Sequence, residues 1–259
     1  FENPYHLPYY KALFENYGFQ NYFNQNTYVW RAQDGVLSEI ALEKAHRVLA
    51  NPEYQIKDIS NTNLEEAAEN LRTIYNKAWA LFTGVKEMTK EEAQTLMRTL
   101  RPIIDPNLIY FAYHNDKPIG FFVMVPDLNC VIGKFNGKFG LINKLRLMYE
   151  LKVRKSCDRV FGIIFGITPE FQGKGIESAI MTYILENYIQ KGRSPYKSFE
   201  FAWIGDFNPV MNKMITNYVC ATKHKMHTTY RYLFDRTKEF TRCPRVGFKR
   251  PAKTEPKAE

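Results

Sequence analysis

Residues 161–188, FGIIFGITPEFQGKGIESAIMTYILENY, restrict the fold more than any other stretch of the chain. Residues 160–167 are apolar and rich in β-branched side chains, which suits a buried strand. Pro169 cannot extend a ladder and ends it. Apolar residues then recur at Ile176, Ala179, Ile180, Tyr183, Ile184 and Tyr188, one face of a helix. Between strand and helix lies a polar turn, Gln172-Gly173-Lys174-Gly175. This combination makes an anion site, because the first N–H groups of a helix have no partner within it and point outward. Gly173 and Gly175 tolerate positive φ and leave the backbone open to a phosphate, and Lys174 adds a mobile positive charge. A P-loop is excluded because Gly175, not Ser or Thr, follows Lys174. A dinucleotide fingerprint is excluded because Ser178 stands where its third glycine belongs. Two glycines before a helix also arise for steric reasons alone.

The 259 residues suffice for one large domain or two small ones, and 45% apolar residues support a packed core. A net charge of +9 fits an anionic ligand, a nucleic acid or an anionic membrane. Cys130, Cys157, Cys220 and Cys243 form no CxxC pair. His224 and His227, three apart in an expected strand, fall on opposite faces. The expectation is therefore reduced thiols in a cytoplasmic protein without a metal. No apolar run reaches the roughly 18 residues of a spanning helix. The chain begins at Phe1 rather than Met, so a preceding portion is expected.

In chain order, residues 8–18 suggest a short helix closed by Gly18, and residues 21–30 a polar strand. Residues 36–50 form an amphipathic helix with Leu37, Ile40, Ala41, Val48 and Leu49 on or near one face. A strand at 54–59 follows. Asn63, or Thr62 with Glu65, caps a helix whose apolar face runs from Leu64 to Trp79, and Gly84 interrupts. Thr89 and Glu92 match a capping box before another helix, stopped by Pro102. Two strands, 108–113 and 119–125, flank a hairpin loop. Residues 129–159 form an insertion with eight Lys and Arg against Glu150 and Asp158. Its apolar stripe, Leu141, Ile142, Leu145, Met148 and Leu151, reads as a lid helix with a solvated basic face, or as an element that meets a membrane surface, an acidic substrate or RNA. After the central strand and helix come a strand at 199–203, a helix from Pro209 and a strand pair around 220–234.

The string Ile-Thr-Pro-Glu-Phe-Gln-Gly-Lys-Gly-Ile, residues 167–176, resembles the acyl-CoA pyrophosphate loop of the GNAT N-acetyltransferases, Gln/Arg-x-x-Gly-x-Gly/Ala. Gln172 and Gly175 match; Glu177 stands at the last position. The resemblance implies an α/β (α+β) GNAT fold, a mixed sheet with flanking helices in the order β-α-α-β-β-β-α-β-α-β-β. A bacterial tandem-GNAT subgroup of uncharacterised acceptor is similar in Ile74-Tyr75-Asn76-Lys77-Ala78-Trp79, Pro126-Asp127-Leu128-Asn129, Glu200-Phe201-Ala202-Trp203-Ile204 and Tyr230-Arg231. It departs at Leu81-Phe82-Thr83-Gly84. Because residues 8–18 weakly repeat the helix from Pro209, residues 1–30 read as the C-terminal remnant of a preceding GNAT-like domain, or as an N-terminal arm. Residues 31–51 connect, 52–240 form the GNAT domain, and 241–259 form a disordered basic tail.

The resemblance further implies acetyl-CoA or another acyl-CoA as cosubstrate. Backbone of residues 163–167 (Ile163, Phe165, Ile167) would bind the pantetheine arm, and Gln172, Gly173, Lys174, Gly175 and Ile176 the pyrophosphate. The usual tyrosine acid falls at Ile215. Glu200, Asn208 and Tyr232 remain as catalytic candidates, each with a structural alternative: a paired carboxylate for Glu200, a core residue for Tyr232. The expected function is N-acylation, by an acetyl group in the first instance, of a small-molecule amine, with no nucleic acid as partner. The alternatives are a tandem aminoacyl transferase using charged tRNA and a non-catalytic acyl-CoA-binding scaffold. Glu177 is expected to favour the free helix start through its dipole and to oppose a bound anion.

Overall fold

The computed structural model describes residues 5–33, 35–79 and 86–245. The segment at 81–84 and the tail from 246 lie outside them. The elements in order are α1 (Tyr9–Tyr17), β1 (Gln20–Arg31), α2 (Glu39–Leu49), β2 (Tyr54–Asp58), α3 (Leu64–Trp79), α4 (Lys90–Leu100), β3 (Ile109–His114) and β4 (Lys117–Pro126). Then come α5 (Asn129–Ile132), α6 (Leu141–Lys152), β5 (Arg159–Ile167), α7 (Ile176–Ile184), β6 (Ser198–Gly205), α8 (Pro209–Lys213) and β7 (Thr222–Arg231). Single π-helical turns, Leu185–Ile189 and Met214–Tyr218, prolong α7 and α8.

The strands form one mixed sheet, β2-β3-β4-β5-β6-β1-β7, and only β5 and β6 run parallel. Apolar residues fill both faces, so β3 and β4 read as unbroken apolar runs. Ile109, Phe111, Phe121 and Val123 face α3 and α4, whereas Tyr110, Ala112, Phe122 and Met124 face the core shared with α2 and α7. The hairpin between β3 and β4 turns at Asn115 and Asp116, both at positive φ (47° and 59°), which matches the right-handed twist of the strands.

Local signals act as their chemistry requires. Gly18 closes α1 at φ 107°. Thr89 and Glu92 form both bonds of the capping box, and Asn63 accepts from the Glu65 N–H at 2.8 Å. Ser38 caps α2, its hydroxyl accepting from the Ala41 N–H at 3.2 Å.

Two expectations differ in detail. Within the region read as a closing strand pair, one strand forms, β7. Its antiparallel neighbour is β1 from the N-terminal stretch, which also pairs with β6. Beyond Arg231 an Asp235–Thr237 turn redirects the chain, with Asp235 Oδ1 accepting from the Thr237 N–H at 3.1 Å, so the twelve residues of β1 complete the ladders instead. In the helix at 36–50, Ala41, Ala45 and Val48 are buried and Ile40 is exposed, because Ile40 lies off the stripe that meets α7.

Candidate functional site

The site is built where β5 and β6 separate. They pair through Arg159–Ser198, Val160–Phe199, Phe161–Glu200 and Gly162–Phe201, and their ladder ends there. β5 continues against β4 alone, with a bulge that leaves Ile163 without a partner position between the Val123–Ile164 and Met124–Gly162 pairs. β6 continues against β1. Ile163, apolar and in a central strand, is therefore 41% exposed, and Trp203 on β6 is 43% exposed. A parallel pair that parts leaves one edge of β5 without a β6 ladder, and an extended ligand can bond there.

The glycine turn stands at the end of that edge. A 3-10 turn, Pro169–Phe171, leads from β5 to Gln172, whose amide donates to the Ile167 carbonyl at 2.9 Å and ties the turn to the strand end. Gly173 and Gly175 take φ of 72° and 89°, conformations that an L side chain adopts only with strain. Gly175 is the N-cap of α7. Lys174 is exposed, with its ammonium 4.8 Å from the centre of the Phe171 ring.

Glu177 turns back onto this turn. Its Oε1 accepts from the Gly173 N–H at 3.5 Å. Burial raises its pKa, and the opposing effects of the Glu177 and Gly173 N–H groups and of Lys44 are smaller. The cost of withdrawing the carboxylate from water thus outweighs the stabilisation that helix-dipole reasoning assigns to it. Lys44 comes from α2, packed against α7. A Cβ on Gly175 would lie 3.4 Å from Lys44 Cβ, and Lys44 Nζ donates to the Tyr218 hydroxyl at 3.1 Å. Sequence reasoning missed this cation, because periodicity shows which face of a helix is buried but not which element it meets.

Among the catalytic candidates, Glu200 on β6 receives Lys225 Nζ at 2.8 and 3.1 Å, reaching across β1 from β7. Asn208 caps α8, accepting from the Met211 N–H at 3.1 Å. Tyr232 packs on Tyr17 and Phe19, at the junction of α1 and β1, and receives a hydrogen bond from Arg236. These contacts do not bring the three together. Ile215 is buried, 1% exposed. The tyrosine that its helix turns toward a charged group is Tyr218, in the π turn, which accepts from Lys44.

The subgroup motifs have structural roles. Asn76 exchanges two hydrogen bonds with Met88, at 3.0 and 2.8 Å. Trp79 stacks on Tyr75 and lies beside β5 at Gly166, whose missing side chain leaves room for the Phe121 ring, 3.1 Å from where a Cβ would stand. Asp127, buried, clasps the base of the insertion: its carboxylate meets Arg159 at 3.1 Å and its N–H donates to the Arg159 carbonyl at 2.9 Å.

No protein-family model matches the chain. It is 24% identical over 211 residues to the bacterial ceramide synthase of Caulobacter vibrioides, covering 80% of this chain and 53% of that one. It is 25% identical over 229 residues to Protein YghO of Escherichia coli, covering 88% and 57%. The chain thus spans about half the length of the curated relatives it matches. A GCN5-related N-acetyltransferase from Sphaerobacter thermophilus superposes with a TM-score of 0.51 at 10% identity, over 85% of this chain and 55% of that one. The chain has the GNAT fold. Its parts here are the seven-stranded mixed sheet and the flanking helices.

Proposed function

We propose that this chain is the acyl-CoA-binding domain of an N-acyltransferase. One observation carries the reading: the parallel strands β5 and β6 pair only as far as Gly162 and Phe201, and the glycine turn stands at the end of the edge that their parting opens. An acyl-CoA fits this arrangement, with its pyrophosphate at Gly173–Ile176 and its pantetheine along Ile163, Phe165 and Ile167, where strand N–H groups would polarise the thioester carbonyl. The amine nitrogen then attacks the carbonyl carbon. The C–N bond forms, the C–S bond breaks, the amine gives up a proton and the thiolate takes one. Glu200 is the candidate base and must first release Lys225.

The name of the Caulobacter relative supports an acceptor class. Ceramide is an N-acylated long-chain amino alcohol, made by the same bond formation. We therefore favour a lipid amine as acceptor and a fatty acyl group as donor over an acetyl group. Residues 1–30 read, in this proposal, as the end of a preceding GNAT-like unit whose last strand, β1, completes the sheet. A second reading, an acyl-CoA-binding scaffold without turnover, is favoured by the Glu177 carboxylate in the anion turn and by the buried Ile215.

Calorimetry with CoA tests the binding site. Lys174→Glu is expected to weaken CoA by about 1–3 kcal/mol, the strength of one charge-assisted hydrogen bond; equal affinity would remove the assignment. Mass spectrometry of a long-chain amine incubated with acyl-CoAs of graded length separates enzyme from scaffold.

A further inference from the structure

We infer that the insertion between β4 and β5 docks this protein on an anionic phospholipid surface, with α6 lying in the interface. The inference does not rest on the proposed function, since it concerns a surface outside the cleft and is read by binding alone.

α6 is apolar on two sides. Its inner side places Leu147 against Val131 and Phe135 in a small core of the insertion's own. Its outer side carries Leu141 (74% exposed), Ile142 (82% exposed), Leu145 and Tyr149, continued by Val153. The spacing of Ile142, Leu145, Tyr149 and Val153 keeps them on one face of a helix. Scattered exposed apolar side chains are ordinary, but a continuous stripe of this size marks an interaction surface. Most of the stripe read from the sequence as the packing face of a lid points outward; Leu147, not among the residues so read, is the buried one.

The charge beside the stripe says what covers it. Lys134, Lys138, Lys144, Arg146, Lys152 and Lys155 are all exposed and make no salt bridge among the described residues. The acidic exception on α6, Glu150, is turned inward, where Arg154 meets it at 3.2 Å. Lys144 and Arg146 lie over the Phe139 and Phe135 rings, and an apolar stripe bordered by lysine and arginine without acidic partners is the pattern of a helix that rests in an anionic lipid interface. A second copy would bring the same positive charge against it and be repelled. RNA would find the lysines, but the outermost atoms of the ridge are aliphatic and offer few planes for bases to stack on.

The insertion is not a loose appendage. The Asp127–Arg159 clasp fixes its two ends to each other. From Arg159, β5 runs to Ile163, where the cleft opens, roughly 13 Å along the strand. β5 thus leads directly from the base of the insertion to the cleft.

The test is co-sedimentation of the full chain with phosphatidylcholine vesicles, with and without phosphatidylglycerol. The chain is expected to pellet with the phosphatidylglycerol vesicles, to be released by salt, and to remain in solution with phosphatidylcholine alone. The Leu141→Gln, Ile142→Gln, Leu145→Gln triple variant removes only exposed side chains and is expected to keep the parent's melting temperature. It is expected to lose binding by about tenfold or more. Each of Lys138→Gln, Lys144→Gln and Lys152→Gln is expected to weaken binding by roughly fivefold. Equal pelleting of the parent and the triple variant, or no pelleting of the parent, overturns the inference. So does tight RNA binding, or self-association, that the triple variant abolishes.

Discussion

Glu177→Gln isolates the charge that stands in the anion turn. The Glu177 carboxylate oxygen is 3.5 Å from the Gly173 nitrogen, so a phosphate oxygen accepting from the same N–H would stand ~4–6 Å from it. Two unit charges at that separation repel by roughly 0.7–4 kcal/mol at an effective dielectric between about 20 and 80. Glutamine keeps the size and the acceptor oxygen but removes the charge. Calorimetry is therefore expected to show CoA binding roughly 3- to 1,000-fold tighter to the variant, with the gain shrinking as salt screens the pair. The free protein supplies a second, independent sign. The Glu177 pKa is raised by burial, so the folded state holds that proton more tightly than the unfolded chain does. Its contribution to stability is present at acid pH and is lost as pH rises through the folded-state pKa. Glutamine should raise the melting temperature near pH ~7, and the difference should close near pH ~4. Unchanged or weaker CoA affinity together with an unchanged melting temperature would refute both halves of the reasoning, because the carboxylate would then face solvent.

Arg159→Ala strips the cation from the buried Asp127 carboxylate and should cost about 3 kcal/mol or more in urea unfolding; a loss below about 1 kcal/mol would mean that water enters the clasp. Val29→Pro breaks a strand bonded to Glu200 on one side and Thr222 on the other, and should destabilise the whole domain by ~3 kcal/mol or more, whereas an independent arm would unfold alone in hydrogen exchange. The Cys157 thiol, pushed up to about 12 by burial, should resist iodoacetamide near pH ~8 until the protein unfolds, while exposed Cys220 reacts; equal labelling of the two would contradict the burial.

Much of the fold is legible in the chain because it is local. Gly18, Asn63 and the Thr89–Glu92 pair set helix ends through bonds made within a few residues. The turn at 172–176 is legible for the same reason, since strand, glycines and helix are contiguous. The cleft is legible only through the family resemblance, which places a pantetheine arm along residues 163–167; nothing in either strand alone states where its ladder ends. The partner of β7 was also out of reach. β1 and β7 are almost two hundred residues apart, and the sequence of a polar strand does not record which strand lies beside it. Lys44 reaches the anion turn only because α2 packs on α7. The outward stripe of α6 follows the same logic: periodicity identifies an apolar face, and only tertiary packing decides whether that face turns toward the core or away from it.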